Sequence, residues 1–179
     1  MSAYCRIAPG RPLHDAYHAT EYGFPQRDET VLFERLGLEI MQAGLSWDLV
    51  LRRRAGMAEA LHGWAVDRVA AMDERDVERL LGDPAMIRNR LKVLAIIDNA
   101  GRLRAMRDSH GGFAGWIDAH RLDENSTPRD RAAWVKVFRR TLRFMGPEVV
   151  GEFLLSIGVL PGAHAPDCPI FAEIERLAA

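Results

Sequence analysis

Apolar residues recur along the chain at the three- and four-residue spacing of helix faces, and nowhere in the strict alternation of a half-buried strand. Asp28 can cap a helix running to Ala43, on which Leu32, Phe33, Leu36, Ile40 and Met41 share one stripe. Ser46 can cap a second helix over 47–54; Gly56 is expected to interrupt it, with 57–61 continuing after a bend. Two short helices, 67–72 and 73–81, precede a sharp corner at Asp83-Pro84, because proline suits a first helical turn but cannot donate into the preceding ladder. From Leu91 to Met106 the apolar positions keep the helical period until Gly111 and Gly112. Ser126-Thr127-Pro128 is expected to open the next helix, through Trp134, Val137, Phe138 and Leu142, and Gly146-Pro147 to break it. An apolar helix then reaches Ile157 and Gly158, and a Gly/Pro-rich stretch over 161–169 leads to a short last helix ending at Leu177. The fold class this predicts is all-α.

Composition narrows the picture further. With 179 residues, 48% of them hydrophobic and 27% charged, the chain reads as one globular domain, able to bury roughly 70% of its unfolded surface without covalent staples. The longest apolar run, 149–160, is broken by Glu152 and falls short of the ~20 residues a bilayer requires. No basic patch followed by an apolar stretch marks a leader at the start, so a cytoplasmic location is expected. In such a reducing compartment the two cysteines, Cys5 and Cys168, are expected as thiols or metal ligands rather than a disulfide.

Charge adds a direction. The 24 basic and 25 acidic residues nearly cancel, yet 84–107 and 129–143 each hold six basic residues and one acid. If those stretches meet in space, the molecule has a basic side suited to a polyanion; the alternative is two solvated helix faces paired to acids elsewhere. Lys92 and Lys136 are the only lysines, so nearly all of this charge is arginine.

Three groups of residues can carry chemistry. Cys5, His18, His164 and Cys168 supply two thiolates and two imidazoles, a donor set that closes a tetrahedral zinc site; the bland reading is two buried cysteines and two incidental histidines. Glu39 emerges at the edge of the buried stripe of its helix, either as a surface partner of Arg35 or as a partly desolvated carboxylate aimed into a pocket. Tyr17, Tyr22 and Trp47 flank it in sequence. Aromatic faces beside a carboxylate suit a flat cationic ring, although most such triplets are merely core. Gly44, beside Leu45 in the intervening turn, permits close backbone approach.

The segments AYHATEYGFP, LEIMQAGLSW, MIRNRLKVLAIIDNA, STP before a basic helix, and HAPDC together resemble the bacterial 3-methyladenine DNA glycosylase I family over roughly residues 4–168. The resemblance implies a helix-hairpin-helix glycosylase fold in a single domain over 1–179. Its zinc-binding terminal lobe would be about 1–27 and 147–179, and its DNA-binding lobe about 28–146. It implies that Cys5, His18, His164 and Cys168 hold a structural zinc. Glu39 and Tyr17 would hydrogen-bond a flipped base, with Trp47 stacked on it and Tyr22 beside it, while Gly44 and Leu45 would abut the gap in the duplex. The turn from Ala85 to Arg90, with Arg88, Asn89, Arg90 and Lys92, would grip a DNA phosphate. The implied activity is excision of 3-methyladenine from alkylated double-stranded DNA by a monomer without lyase chemistry, since both lysines lie in the basic helices. A catalytically silent or differently specific DNA-binding relative is the alternative. Ile7, His14, Tyr22, Pro147 and Glu148 depart from the family pattern around the pocket and bear on lesion preference.

Overall fold

The computed structural model describes residues 3–123 and 125–178, whose regular structure is eleven α-helices and one 3-10 turn. The expected domain ends, residues 1 and 179, lie outside the described residues. Helix α1 (Ala3–Ile7) and helix α2 (Pro12–Thr20) open the chain. Neither shows in the apolar periodicity, since α1 is little more than one turn and the buried positions of α2 are His14, Tyr17 and His18 rather than aliphatics. Helix α3 (Glu29–Gln42) begins where the Asp28 carboxylate accepts from the Val31 amide at 3.0 Å. It runs through the middle of the molecule. Leu32, Phe33, Leu36, Leu38, Ile40 and Met41 are all essentially inaccessible.

Helix α4 (Trp47–Ala60) is capped by Ser46 and is continuous, so the interruption expected at Gly56 does not occur. The glycine serves a neighbour instead: a Cβ there would lie 2.6 Å from the Cβ of Ala85, which packs directly against the helix backbone. After a 3-10 turn (His62–Trp64) come helix α5 (Val66–Ala70) and helix α6 (Glu74–Gly82), the latter begun by a reciprocal Asp73/Asp76 capping box. A tight turn over 83–89 then reverses the chain into the long helix α7 (Arg90–His110), which ends on Gly111 in the left-handed conformation. Helix α8 (Phe113–Ala119), absent from the periodicity, is held by tertiary contact, Phe113 stacking on Phe153 with ring centres 5.7 Å apart.

Helix α9 (Arg131–Thr141) starts three residues after the expected Ser126-Thr127-Pro128 opening. The chain there doubles back, with the Thr127 carbonyl accepting from the Asp123 amide and Leu122 bridging Pro128, so capping passes to Asp130, which accepts from the Ala133 amide at 2.7 Å. Helix α10 (Pro147–Ser156) has its proline at the first helical position, and helix α11 (Phe171–Ala178) closes the described chain. No strand forms among the described residues, and no helix is long and apolar enough to cross a membrane.

Packing divides the interior in two. The main core gathers around α3, α7, α9 and α10. A second cluster, Tyr17, Tyr22, Leu51 and Ala163, joins the two ends of the chain to α4. Trp47 packs against both.

Candidate active site

At the junction of the two clusters lies a pocket of about 540 Å³, within the range that encloses a small molecule. Separate elements build it: Tyr17 comes from α2, Tyr22 from the turn that follows, Glu39 from α3, Trp47 from the first position of α4, Phe144 from the turn before α10, and Glu152 from α10. Tyr17 meets Trp47 edge to face with ring centres 5.2 Å apart and lies 5.9 Å from Tyr22. The residues proposed from sequence as base-binding therefore share one cavity, although they are spread over the 31 positions from Tyr17 to Trp47.

Glu39 is not a surface partner of Arg35. Its side chain is buried, and burial, reinforced by the nearby charge of Glu152 and opposed by Arg35, pushes its carboxyl up to about 8. Arg35 is itself buried. Its guanidinium pairs with Glu21 and lies 4.8 Å over the Tyr17 ring, while Glu21 and Glu34 also hold Arg54. The Tyr17 hydroxyl is buried without a hydrogen-bond partner, as are Nε and Nη1 of Arg35. Burial drives the Tyr17 phenol far above its ordinary range, so it stays a neutral donor. A buried hydroxyl on a pocket wall is an unmet hydrogen bond that a ligand can supply.

Ile7, His14, Pro147 and Glu148, expected around the pocket, all line it, whereas Tyr4, Phe144 and Glu152 were not expected there. Tyr4 and His14 line the cavity, with the Tyr4 hydroxyl 3.4 Å from His14 Nδ1 and His14 Nε2 3.3 Å from Asp48. Phe144 is over one-third exposed at φ +63°, a conformation that branched or bulky residues seldom adopt. Glu152 had a signal, being the single charge inside the longest apolar run.

The residues expected to meet DNA fall into two sets. Gly44, at φ +79°, and Leu45, 39% exposed, form an open turn beside the pocket, and Arg88 and Asn89 are exposed on the 83–89 turn. Asn89 accepts from the Lys92 amide at 3.2 Å and so caps α7. Lys92 must be corrected. Its ammonium is buried and donates to the carbonyls of Met41 and Ala43, at 2.8 and 2.6 Å, where the end of α3 leaves acceptors without helical partners. It supports the Gly44 turn from within rather than facing a phosphate. Arg90 is exposed but forked onto Glu74 and Glu78 of α6, which raises its pKa and offsets its charge. Elsewhere in the basic stretches Arg107 is held by Glu29 and Asp67, and Arg102 and Arg143 share Asp98, whereas Arg88, Arg104, Lys136 and Arg140 lie on the exposed surface.

A buried group of Cys5, His18, His164 and Cys168 sits between α1, α2 and the segment leading to α11, with its donor atoms all within 4.8 Å of one another. Cys5 Sγ lies 3.7 Å from His164 Nδ1, which is 3.3 Å from Cys168 Sγ, itself 3.6 Å from His18 Nε2. Those separations match the edges, about 3.6 Å, of a tetrahedron with zinc-length bonds to nitrogen and sulfur. Nε2 of His164 is engaged with the Tyr22 carbonyl at 2.7 Å, leaving Nδ1 facing the cluster. Burial lowers the pKa of both histidines, which favours the neutral imidazole that binds metal. These four residues can hold a metal ion.

The described residues thus form an all-helical scaffold with an aromatic pocket around a buried carboxylate. A crystal structure of 3-methyladenine DNA glycosylase I superposes with a TM-score of 0.80 at 34% identity, covering 92% of this chain and 97% of that one. A variant of 3-methyladenine DNA glycosylase I in complex with 3-methyladenine gives 0.80 at 26% identity, covering 93% and 96%. DNA-3-methyladenine glycosylase 1 of Escherichia coli (strain K12) is 35% identical over 170 residues, 88% of this chain and 90% of its own. The methyladenine glycosylase family model matches residues 7–172, and the chain belongs to that family.

Proposed function

We propose that this protein is a monofunctional DNA glycosylase that extrudes 3-methyladenine from alkylated double-stranded DNA and hydrolyses its N-glycosyl bond. The observation that carries the reading is the convergence of Glu39, Tyr17 and Trp47 on one pocket. Alkylation at N3 makes adenine a cation and already weakens its bond to the sugar, so extrusion, selective binding and a positioned water accomplish most of the task. The bond breaks with its electron pair passing to the base, which cancels the base's positive charge, and water adds to the sugar carbon and sheds a proton. In this scheme Glu39 and the Tyr17 hydroxyl hydrogen-bond the extruded base, while Trp47 and Tyr22 enclose its faces. A desolvated cation against such rings is favoured by ~1–2 kcal/mol over its neutral counterpart.

Gly44 and Leu45 face the gap left in the duplex, and the turn between α6 and α7 acts as the hairpin, with Arg88 and the first amides of α7 toward a phosphate. Lys92 and Arg90 have other partners and take no direct phosphate role in this scheme. No lysine lines the pocket among the described residues, which supports hydrolysis without a Schiff base to the sugar. Zinc on Cys5, His18, His164 and Cys168 would cross-link the two ends of the chain, and through His164 would fix the Tyr22 backbone beside the pocket. The protein acts as a monomer in this reading.

The test is incubation with methylated duplex DNA. Wild type should release free 3-methyladenine without nicking the strand, and Glu39→Ala, which removes the hydrogen bond altogether, should slow release by about tenfold or more. Duplex binding without base release would favour the silent relative.

A further inference from the structure

Two carboxylates on the pocket wall have no part in the scheme above: Glu148, which is largely exposed and paired with Arg131, and Glu152. Glu152 belongs to α10, whose neighbouring positions Val149, Val150, Phe153 and Leu154 are buried in the core. An acid in such a helix is retained at a cost to packing unless it meets something. Its Oε2 accepts from the Tyr22 hydroxyl at 3.2 Å, and its Oε1 faces Arg131 at 3.9 Å, although that arginine lies closer to Glu148, at 3.1 Å. The carboxylate lines the same cavity as Glu39 and the unpartnered Tyr17 hydroxyl. Glutamates line this pocket, and no lysine or arginine does among the described residues.

We propose that Glu152 is a specificity-determining residue: a pocket carboxylate beside Glu39, oriented by Tyr22, that selects a nucleobase carrying positive charge over the same base without it. The proposal rests on the glycosylase reading. It separates hydrogen bonding of the base from selection for its charge, two tasks that the sequence reading placed on Glu39 together with Tyr17 and Trp47. Burial, with the charge of Glu152 nearby, pushes the Glu39 carboxyl up to about 8 and so favours its protonated form, which can hydrogen-bond a base edge while presenting less charge. Glu152, partly exposed and already taking a hydroxyl hydrogen and facing an arginine, supplies the negative potential. Its range is longer than a hydrogen bond, so the class of ligand it favours is the N-alkylated purine cation, whichever ring nitrogen bears the alkyl group.

The experiment compares two free ligands, 3,9-dimethyladeninium and neutral 9-methyladenine, titrated into wild type and Glu152→Gln at fixed ionic strength. Glutamine keeps an acceptor for the Tyr22 hydroxyl and removes only the charge. The wild type should prefer the cation, and the variant should lose about tenfold of that preference while its affinity for the neutral base stays within about twofold. Equal losses for both ligands would assign Glu152 to holding Tyr22 in place, and unchanged preference would remove its role altogether; either result overturns the proposal. Release of 3-methyladenine from methylated duplex by wild type is measured alongside. Its absence would remove the glycosylase reading and leave the ligand comparison to stand by itself.

Discussion

Ionising Glu39 in the folded protein places a charge where water does not reach, and the sign of that cost is measurable. Burial pushes its carboxyl from the ordinary 4.5 up to about 8, so between those values the native state binds the extra proton. Stability contributed by this group is therefore lost as pH rises from about 4.5 to 8 and is constant above. Glu39→Gln should melt higher than wild type at pH 8, by about 2–4 °C for each kcal/mol removed, and the two curves should converge toward pH 4.5 in a thermal melt series. The position of Glu39 at the edge of an apolar stripe was legible in the sequence. Its depth was not, because α2 and α10 close over that edge from distant parts of the chain. Lys92 shows the same limit in reverse: a lysine in a basic run reads as surface charge until the end of another helix is found to need its ammonium.

Helices are governed by local rules until a neighbour intervenes, and Gly56 is the clearest case here. Within α4 by itself, alanine in place of glycine should stabilise by up to ~1 kcal/mol through helix propensity. The added Cβ, however, would collide with Ala85 and force the α6–α7 turn away from α4, where Arg53 also holds the Pro84 and Met86 carbonyls. Overpacking of this kind costs about 1–3 kcal/mol, so the clash should win. Gly56→Ala is expected to lower the urea midpoint without changing the slope, and to weaken duplex binding because the displaced turn carries Arg88; a rise in the midpoint would show that propensity dominates. Reading Gly56 as an interruption came from propensity alone. The same limit explains α8 and the late start of α9, both settled by contacts with residues far away or by a turn that consumes the expected caps.

At the scale of the whole molecule, the two ends of the chain meet around the Cys/His group, beside the small apolar cluster of Tyr17, Tyr22, Leu51 and Ala163. Loss of a metal bound at that group should loosen the contact between the two ends of the chain. Cys168→Ser, or treatment with a strong chelator, is expected to release close to one equivalent of zinc by elemental analysis and to lower the melting temperature by several degrees. Base excision at low temperature should survive more fully than stability, since none of the four residues lines the pocket. Chelation that left both the melt and the metal content unchanged would argue that the cluster is only buried packing. The segregated charge is also resolved at this scale. Much of the basic excess is paired internally, and the arginines left at the surface around Arg88, Arg104 and Arg140 are what remains for a polyanion.

Helical periodicity, capping residues and the donor types at Cys5, His18, His164 and Cys168 are properties of short stretches, and these alone determined the all-α class, most helix positions and the list of chemically capable side chains. Which of those side chains share a cavity, how far each is removed from water, and which charges are spent on neighbours were decided only by tertiary packing. Burial and electrostatics depend on every element that closes around a group. Glu152 is the measure of the difference: a solitary acid in an apolar run by sequence, and a wall of the pocket once α10 lies beside Tyr22 and α3.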